Sequence, residues 1–199
     1  MNINRAIRKQ NKSYKRFVLS MCFVFFAMPV FPIVYKKTTP FYLTYLAIIE
    51  VLILLSIIIK SNKERLYFTY KTGKIILKSG LVLEPVKILC SKVLYVDIEK
   101  TEGDKSKFQD FKIILLSNSR FRTKKSKIIS NDFLKRHTLA AFHYKKFKER
   151  QPENEYYYII ISSGGLGKYS LLNTIYKGCV NAGFSEEAIE KIKLYRDNI

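Results

Sequence analysis

Residues 66 to 79 read LYFTYKTGKIILKS, and the chain changes character there. Ahead of them lies a long apolar run without alternation. Within and after them, Tyr, Phe, Ile and Leu come in short runs separated by lysines and turn residues. Short aromatic and β-branched runs bounded by Gly or Ser are the pattern of strands, and Thr72-Gly73 between two of them marks a hairpin. The pattern continues through LVLEPVKIL (81–89), KVLYVDIEK (92–100), FKIILLS (111–117) and FRTKKSKIIS (121–130). Turns are expected at Ser79-Gly80, at Pro85, in the polar TEGDKSK (101–107) and at Asn118-Ser119. Six strands without an intervening helix predict an antiparallel meander within an α+β fold.

Backwards from residue 66, FYLTYLAIIEVLILLSIII (41–59) holds one carboxylate, and FVLSMCFVFFAMPVFPIVY (17–35) holds no charge. Each is about long enough to cross a hydrocarbon layer of roughly 30 Å as a helix. Joined by KKTTP, they predict a two-helix transmembrane hairpin. Arg5, Arg8, Lys9, Lys12, Lys15 and Arg16 precede it, and Lys60, Lys63, Arg65, Lys71 and Lys74 follow it, against Lys36 and Lys37 in the loop. Positive charge collects on the cytoplasmic side. The expected layout is a basic cytoplasmic arm (1–16), the hairpin (17–60) and a cytoplasmic α+β domain (61–199), in the cell membrane with both termini inside. Over 199 residues, 48% hydrophobic content with a net charge of +20 suits that layout better than a soluble domain.

Forward from the strands, Ser130 or Asn131 caps a helix over NDFLKRHTLAAFHYKKFKER (131–150), with Phe133, His137, Ala140, Tyr144 and Phe147 on one stripe. EYYYIIIS is a further strand. KYSLLNTIYKGCVNA is a helix closed by Gly183, and SEEAIEKIKLYRD is a helix capped by Ser185.

Between the last strand and these helices lies ISSGGLGKYS (161–170), the outline of a phosphate-cradling loop. A P-loop needs GxxxxGK followed by Ser or Thr, so that backbone amides wrap a phosphate and a hydroxyl reaches Mg²⁺. Here Tyr169 follows Gly167-Lys168 and Ser162 stands where the first Gly belongs. The reading that fits is a strand turning into a helix, with Gly164 to Lys168 as a nucleotide loop the lesser alternative.

Other chemistry is not signalled. Cys22, Cys90 and Cys179 share no short spacing, and His137 and His143 point to different sides of one helix. No catalytic residue, cofactor or metal is expected, and the chain reads as a non-enzyme. Residues 120–150 carry eleven Lys/Arg against Asp132 and Glu149. Lys124, Lys125, Lys127, Lys135, Arg136, Lys145 and Lys146 are the candidate contacts to an anionic leaflet or an acidic partner, each cation being worth about 1 kcal/mol near such a surface. No recognition motif points to nucleic acid. Glu50, mid-span, costs about 2.5 kcal/mol or more if isolated and charged. It is the candidate for an intramembrane contact to another subunit or a second copy.

The stretch YFTYKTGKIILKSGLVLEPVKILCSKVLYVDI (67–98), with Tyr67, Thr69, Gly73, Ile75, Ile76, Gly80, Val93 and Val96, resembles the opening of bacterial PH-like domains, the likeness extending over about residues 64–129. The resemblance implies a small, bent antiparallel sheet capped by a helix, serving membrane-associated assembly or stress functions without catalysis. The elements after residue 131 exceed one such domain. The expected function is a membrane-anchored accessory or scaffold subunit that binds a protein partner, the inner leaflet or both, with a bacteriocin-immunity or envelope-stress factor as the alternative.

Overall fold

Asn2 opens the first helix, its side chain accepting from the Asn4 amide, and α1 then runs Ile3–Ala27. It ends just before Pro29, whose ring and missing amide cannot continue a helix. The computed structural model describes residues 2–30, 34, 39–80, 85–100 and 108–199. Residues 36–38 of the expected KKTTP loop (36–40), the end of the 17–35 run with Pro32, the LVLE half of the third strand and the 101–107 turn lie outside the described residues. Helix α2 (Pro40–Glu64) starts at a proline, whose fixed φ suits a first helical position, and ends at Arg65.

Strands β1 (Leu66–Lys71), β2 (Lys74–Ser79) and β3 (Val86–Leu89) form one antiparallel sheet in chain order. Thr72 and Gly73 both have positive φ, 39° and 72°, which is the turn that lets a two-residue hairpin twist with its strands. After a short 3-10 turn (Cys90–Lys92) come β4 (Val93–Lys100), β5 (Phe111–Ser117), β6 (Lys127–Ile128), α3 (Asn131–Arg136), α4 (Thr138–Arg150) and β7 (Tyr157–Ile161). The chain closes with α5 (Gly167–Gly178), β8 (Gly183–Phe184) and α6 (Glu186–Asp197). The second sheet has the order β6-β7-β5-β4-β8, with β8 parallel to β4 and the other pairs antiparallel. Among the described residues the protein is thus α+β, with six α-helices and two mostly antiparallel sheets.

Several expectations need correction. A continuous six-strand meander does not form. Strand β7 inserts between β5 and β6, because the Ile-rich Tyr157–Ile161 segment is the partner able to bury the open edge of β5. The single long helix from 131 breaks at His137, which leaves helical geometry at φ −125°, ψ 77°. The helix expected to reach Gly183 stops at Gly178, and Gly183 begins β8 instead. The one-sheet, one-helix plan implied by the PH-like resemblance is exceeded, since α5 and α6 cover one face of the second sheet and α3 and α4 the other. The described residues show the two-span hairpin only in part, since 31–33 and 35–38 lie outside them. One helix among the described residues, Pro40–Glu64, is long and apolar enough to cross a membrane. Helix α1 carries six cations between Arg5 and Arg16, and its uncharged apolar run extends only from Phe17 to its end at Ala27.

The principal core lies between the two sheets, α5 and α6. It includes Ile75, Leu77, Val86, Ile88, Val96, Ile113, Leu115, Leu172, Ile175 and Ile192. It also includes Ile3 and Ala6 of α1, with Ile3 fully buried and its amide donating to the Asn198 carbonyl at 2.9 Å. The basic N-terminal segment is therefore a helix whose first turn completes the core. A smaller cluster on the far face joins Tyr95, Ile114, Leu116, Phe133 and Ala140.

Candidate functional site at the helix base and the basic face

Helices α1 and α2 pack side by side, with the Tyr14 hydroxyl donating to Ser61 Oγ at 3.0 Å. Both then rest on the glycine loop. The Gly164 amide donates to the Lys63 carbonyl at 2.8 Å, and the Leu166 amide donates to Gln10 Oε1 at 3.0 Å. Gly164 and Gly165 have φ of 113° and 47°, a region that side chains disfavour. Close approach is a second requirement: a Cβ at Gly164 would lie 2.5 Å from Leu66, and one at Gly165 would overlap Gln10. The Gly80 amide adds a bond to the Arg65 carbonyl at 3.1 Å. The loop that resembles a phosphate cradle is the seat on which the two helices stand.

Lys168 follows the same logic. Its side chain is fully buried, with Nζ 2.7 Å from Asp110 Oδ1 and donating to the Ser162 carbonyl at 2.9 Å. Burial pulls its pKa below the ordinary lysine value, and the bonded Asp110 opposes that shift. The ammonium ties the start of β5 to the end of β7 and the start of α5, and it faces inward rather than toward an open loop.

The seven candidate cations are all exposed, but the fold divides them. Lys127 and Arg136 share a shallow groove with Asp132 and His137. Lys124 faces a depression beside Pro85, Lys87 and Arg122, while Lys125 reaches Ser79 Oγ at 3.4 Å. Lys135 sits on α3. Lys145 and Lys146 project from α4, where Lys146 Nζ lies 4.4 Å from the centre of the exposed Phe142 ring. Glu50 is half-buried on α2 and makes no hydrogen bond or ion pair among the described residues.

A second basic surface lies outside the 120–150 stretch that charge density along the sequence marks. Alternation along the first sheet places Ile75, Leu77, Val86 and Ile88 inward. Lys71, Lys74, Lys78 and Lys87 take the other face, with Tyr67 and Thr69 beside them. Lys71 stands directly opposite Lys74, a like-charge pairing that works against the sheet. Its signal was present in the sequence as lysines on alternate positions of strands whose intervening residues are apolar.

The far face of the second sheet holds a buried polar group, Asp97. Burial raises its pKa, against hydrogen bonds from the Ser185 hydroxyl and from the Ile98 amide, the latter at 2.8 Å. Tyr95 beside it is pushed up to about 12, by burial and then by Asp97. The Tyr95 ring stacks on His143 at 3.9 Å between centroids, and His143 is held below its usual value by burial and by Lys146. Cys179 is buried beside Cys90, and burial drives its thiol well above the usual range, which leaves it unreactive. Among the described residues no group of three or more His, Cys, Asp or Glu could hold a metal ion.

The fold and this surface define an α+β protein in which a membrane-length helix is fastened to a strongly basic domain. No family model matches the chain, and neither a curated protein nor a solved structure does.

Proposed function

We propose that the chain is a non-enzymatic, membrane-anchored subunit whose basic domain docks on the anionic inner leaflet or on a membrane-associated protein partner. The observation that carries the reading is the surface of α2. Phe41, Leu43, Ile48, Val51, Leu52, Leu55 and Ile59 lie open along it, while its last turn is hydrogen-bonded to the glycine loop and runs directly into β1. An apolar surface of that extent needs a cover, and a bilayer supplies one. Leu19, Phe23 and Phe26 of α1 are exposed at 73%, 74% and 73%, which supports the second half of α1 entering the same layer.

In this arrangement two helices enter the membrane, and both chain ends stay with the domain on the cytoplasmic side. Lys60, Lys63 and Arg65 at the base of α2 support that orientation. Lys135, Arg136, Lys145 and Lys146 on α3 and α4 extend the attraction to anionic headgroups. Glu50, which makes no hydrogen bond or ion pair among the described residues, is the natural contact for a second membrane helix, from another copy or another subunit. The antiparallel β1-β2-β3 sheet, followed by the antiparallel β4–β5 pair, supports the likeness to PH-like domains.

The test is fractionation of the full-length chain. It stays in the membrane pellet after an alkaline carbonate wash, and a tag on either terminus is digested only when the cytoplasmic face is open to protease. Release by carbonate would overturn the anchor; protection of either tag would overturn the orientation. Gentle-detergent purification then reads the partner: a stoichiometric companion that is lost in Glu50→Leu identifies the membrane contact.

A further inference from the structure

We propose that a groove on the outer face of the first sheet binds a small phosphate-bearing anion. The groove lies between β2 and β3 on one side and residues 117–122 on the other, and encloses about 260 Å³. Four cations converge on it: Lys74 and Lys87 from the sheet, Arg120 and Arg122 from the segment after β5. No carboxylate lines it, and none of the four takes part in an ion pair among the described residues. Cations brought together without a counter-charge repel one another, and a doubly charged ligand removes that repulsion. The site lies in the domain itself, so it holds whether or not α2 crosses a membrane.

The two arginines stand on a fixed segment. The Asn118 amide donates to the Lys92 carbonyl at 3.2 Å, and the Ser119 amide to Ser117 Oγ at 3.1 Å. Phe121, 4% exposed, is held between them, its amide donating to the buried Ser126 Oγ at 3.2 Å. A buried aromatic flanked by two outward arginines presents both guanidinium groups to one side at little entropic cost. Guanidinium forks match phosphate oxygens in pairs, whereas lysines act as point charges. Ile76, Leu89 and Phe121 give the groove an apolar floor. The ligand that fits is compact, carries one or two phosphates and has a small apolar or planar body. A lipid headgroup and a free metabolite both present that chemistry.

Inorganic pyrophosphate titrated calorimetrically into the full-length protein in a neutral detergent tests the site. Binding exceeds that of sodium chloride at equal ionic strength. The double variant Arg120→Ala/Arg122→Ala weakens it at least about tenfold, a loss of two charge-assisted pairs. Lys177→Ala/Lys193→Ala, exposed and of equal charge change, leaves it intact. The variants replace solvent-facing side chains, and unchanged melting temperatures confirm that both remain folded. Nanodiscs of phosphatidylcholine with and without phosphatidic acid then separate the sources. Competition of phosphatidic acid with pyrophosphate assigns a headgroup, and undiminished pyrophosphate binding in both assigns a free phosphate compound. No binding above the chloride control, or equal loss in the two double variants, overturns the proposal.

Discussion

Gly164 lies against Leu66 so closely that a single added methyl would meet the Leu66 side chain at 2.5 Å, and it holds φ at 113° while donating to Lys63. Space and backbone both demand glycine there. Gly73 makes the useful contrast, with φ of 72° but nothing within 4 Å of an added Cβ. Gly73→Ala meets only the left-handed strain, about 1–2 kcal/mol. Gly164→Ala adds overpacking and loses roughly 2–4 kcal/mol in total. Thermal unfolding of the full-length variants in detergent orders the two, and equal melting temperatures would show that the helix base is not tightly seated.

The seat of α1 and α2 was written in local residues that could be read only in part. Glycines after an Ile-rich strand announce a turn, but that Gly165 makes room for Gln10 is a contact across 155 positions of chain. Elements whose partners are near in sequence were legible: the Thr72-Gly73 hairpin, the β4–β5 pair, and the Ser130 and Ser185 caps, which accept from the Phe133 and Ala188 amides. Strand β8, two residues long and parallel to β4, has no pattern to read, and the insertion of β7 beside β5 is a choice among similar Ile-rich strands. Charge density along the chain singles out the cations of 120–150. The fold instead groups cations by sheet face, which joins Lys74 and Lys87 to Arg120 and Arg122 and separates Lys124 from Lys145.

Ile3 shows how far the N-terminal segment departs from a free basic arm. It is fully buried among the core residues of the domain. Ile3→Ala is expected to cost about 2–5 kcal/mol, as deletion of a buried Ile side chain does. Ile128→Ala, at a 58% exposed position, changes stability by less than about 0.5 kcal/mol. Denaturant titration of both variants checks the contrast. A fragment starting at residue 61 lacks Ile3 and Ala6 and is expected to expose the gap, seen as binding of a hydrophobic dye. An equally stable fragment would place α1 outside the cooperative unit.

Asp97 makes stability depend on acid in a direction opposite to an ion-paired carboxylate. Burial raises its pKa in the folded protein above the ordinary value of 3.8. Between these two values the folded chain holds a proton that the unfolded chain releases, so the Asp97 contribution is full below 3.8 and falls as pH rises through the folded value. Asp97→Asn keeps an acceptor for the Ile98 amide and removes the titration. The variant is expected to be at least as stable as the parent at neutral pH, with its advantage shrinking on acidification toward 3.8. Melting curves across that range test it; an advantage that grows toward acid would show that the ionised form is the one the fold favours.

Lys168 is the complementary case. Lys168→Ala removes the ion pair and leaves a void where the buried lysine stem stood, a loss of about 2–5 kcal/mol. Lys168→Met fills the space, and Asp110, with its side chain 23% exposed, turns toward water, so the loss is smaller. The pH dependence carries its own sign. Burial lowers the Lys168 pKa below 10.5. Between the folded value and 10.5 the unfolded chain binds the extra proton, so stability from this group rises with pH through that window and is lost as pH falls through the folded value. The parent therefore gains on Lys168→Met as pH climbs toward 10.5, other alkaline titrations being common to both. Parallel melting series at neutral and alkaline pH measure the difference. A gap that narrows as pH rises would mean that the Asp110 bond outweighs burial and that Lys168 stays charged at its post beneath the helix base.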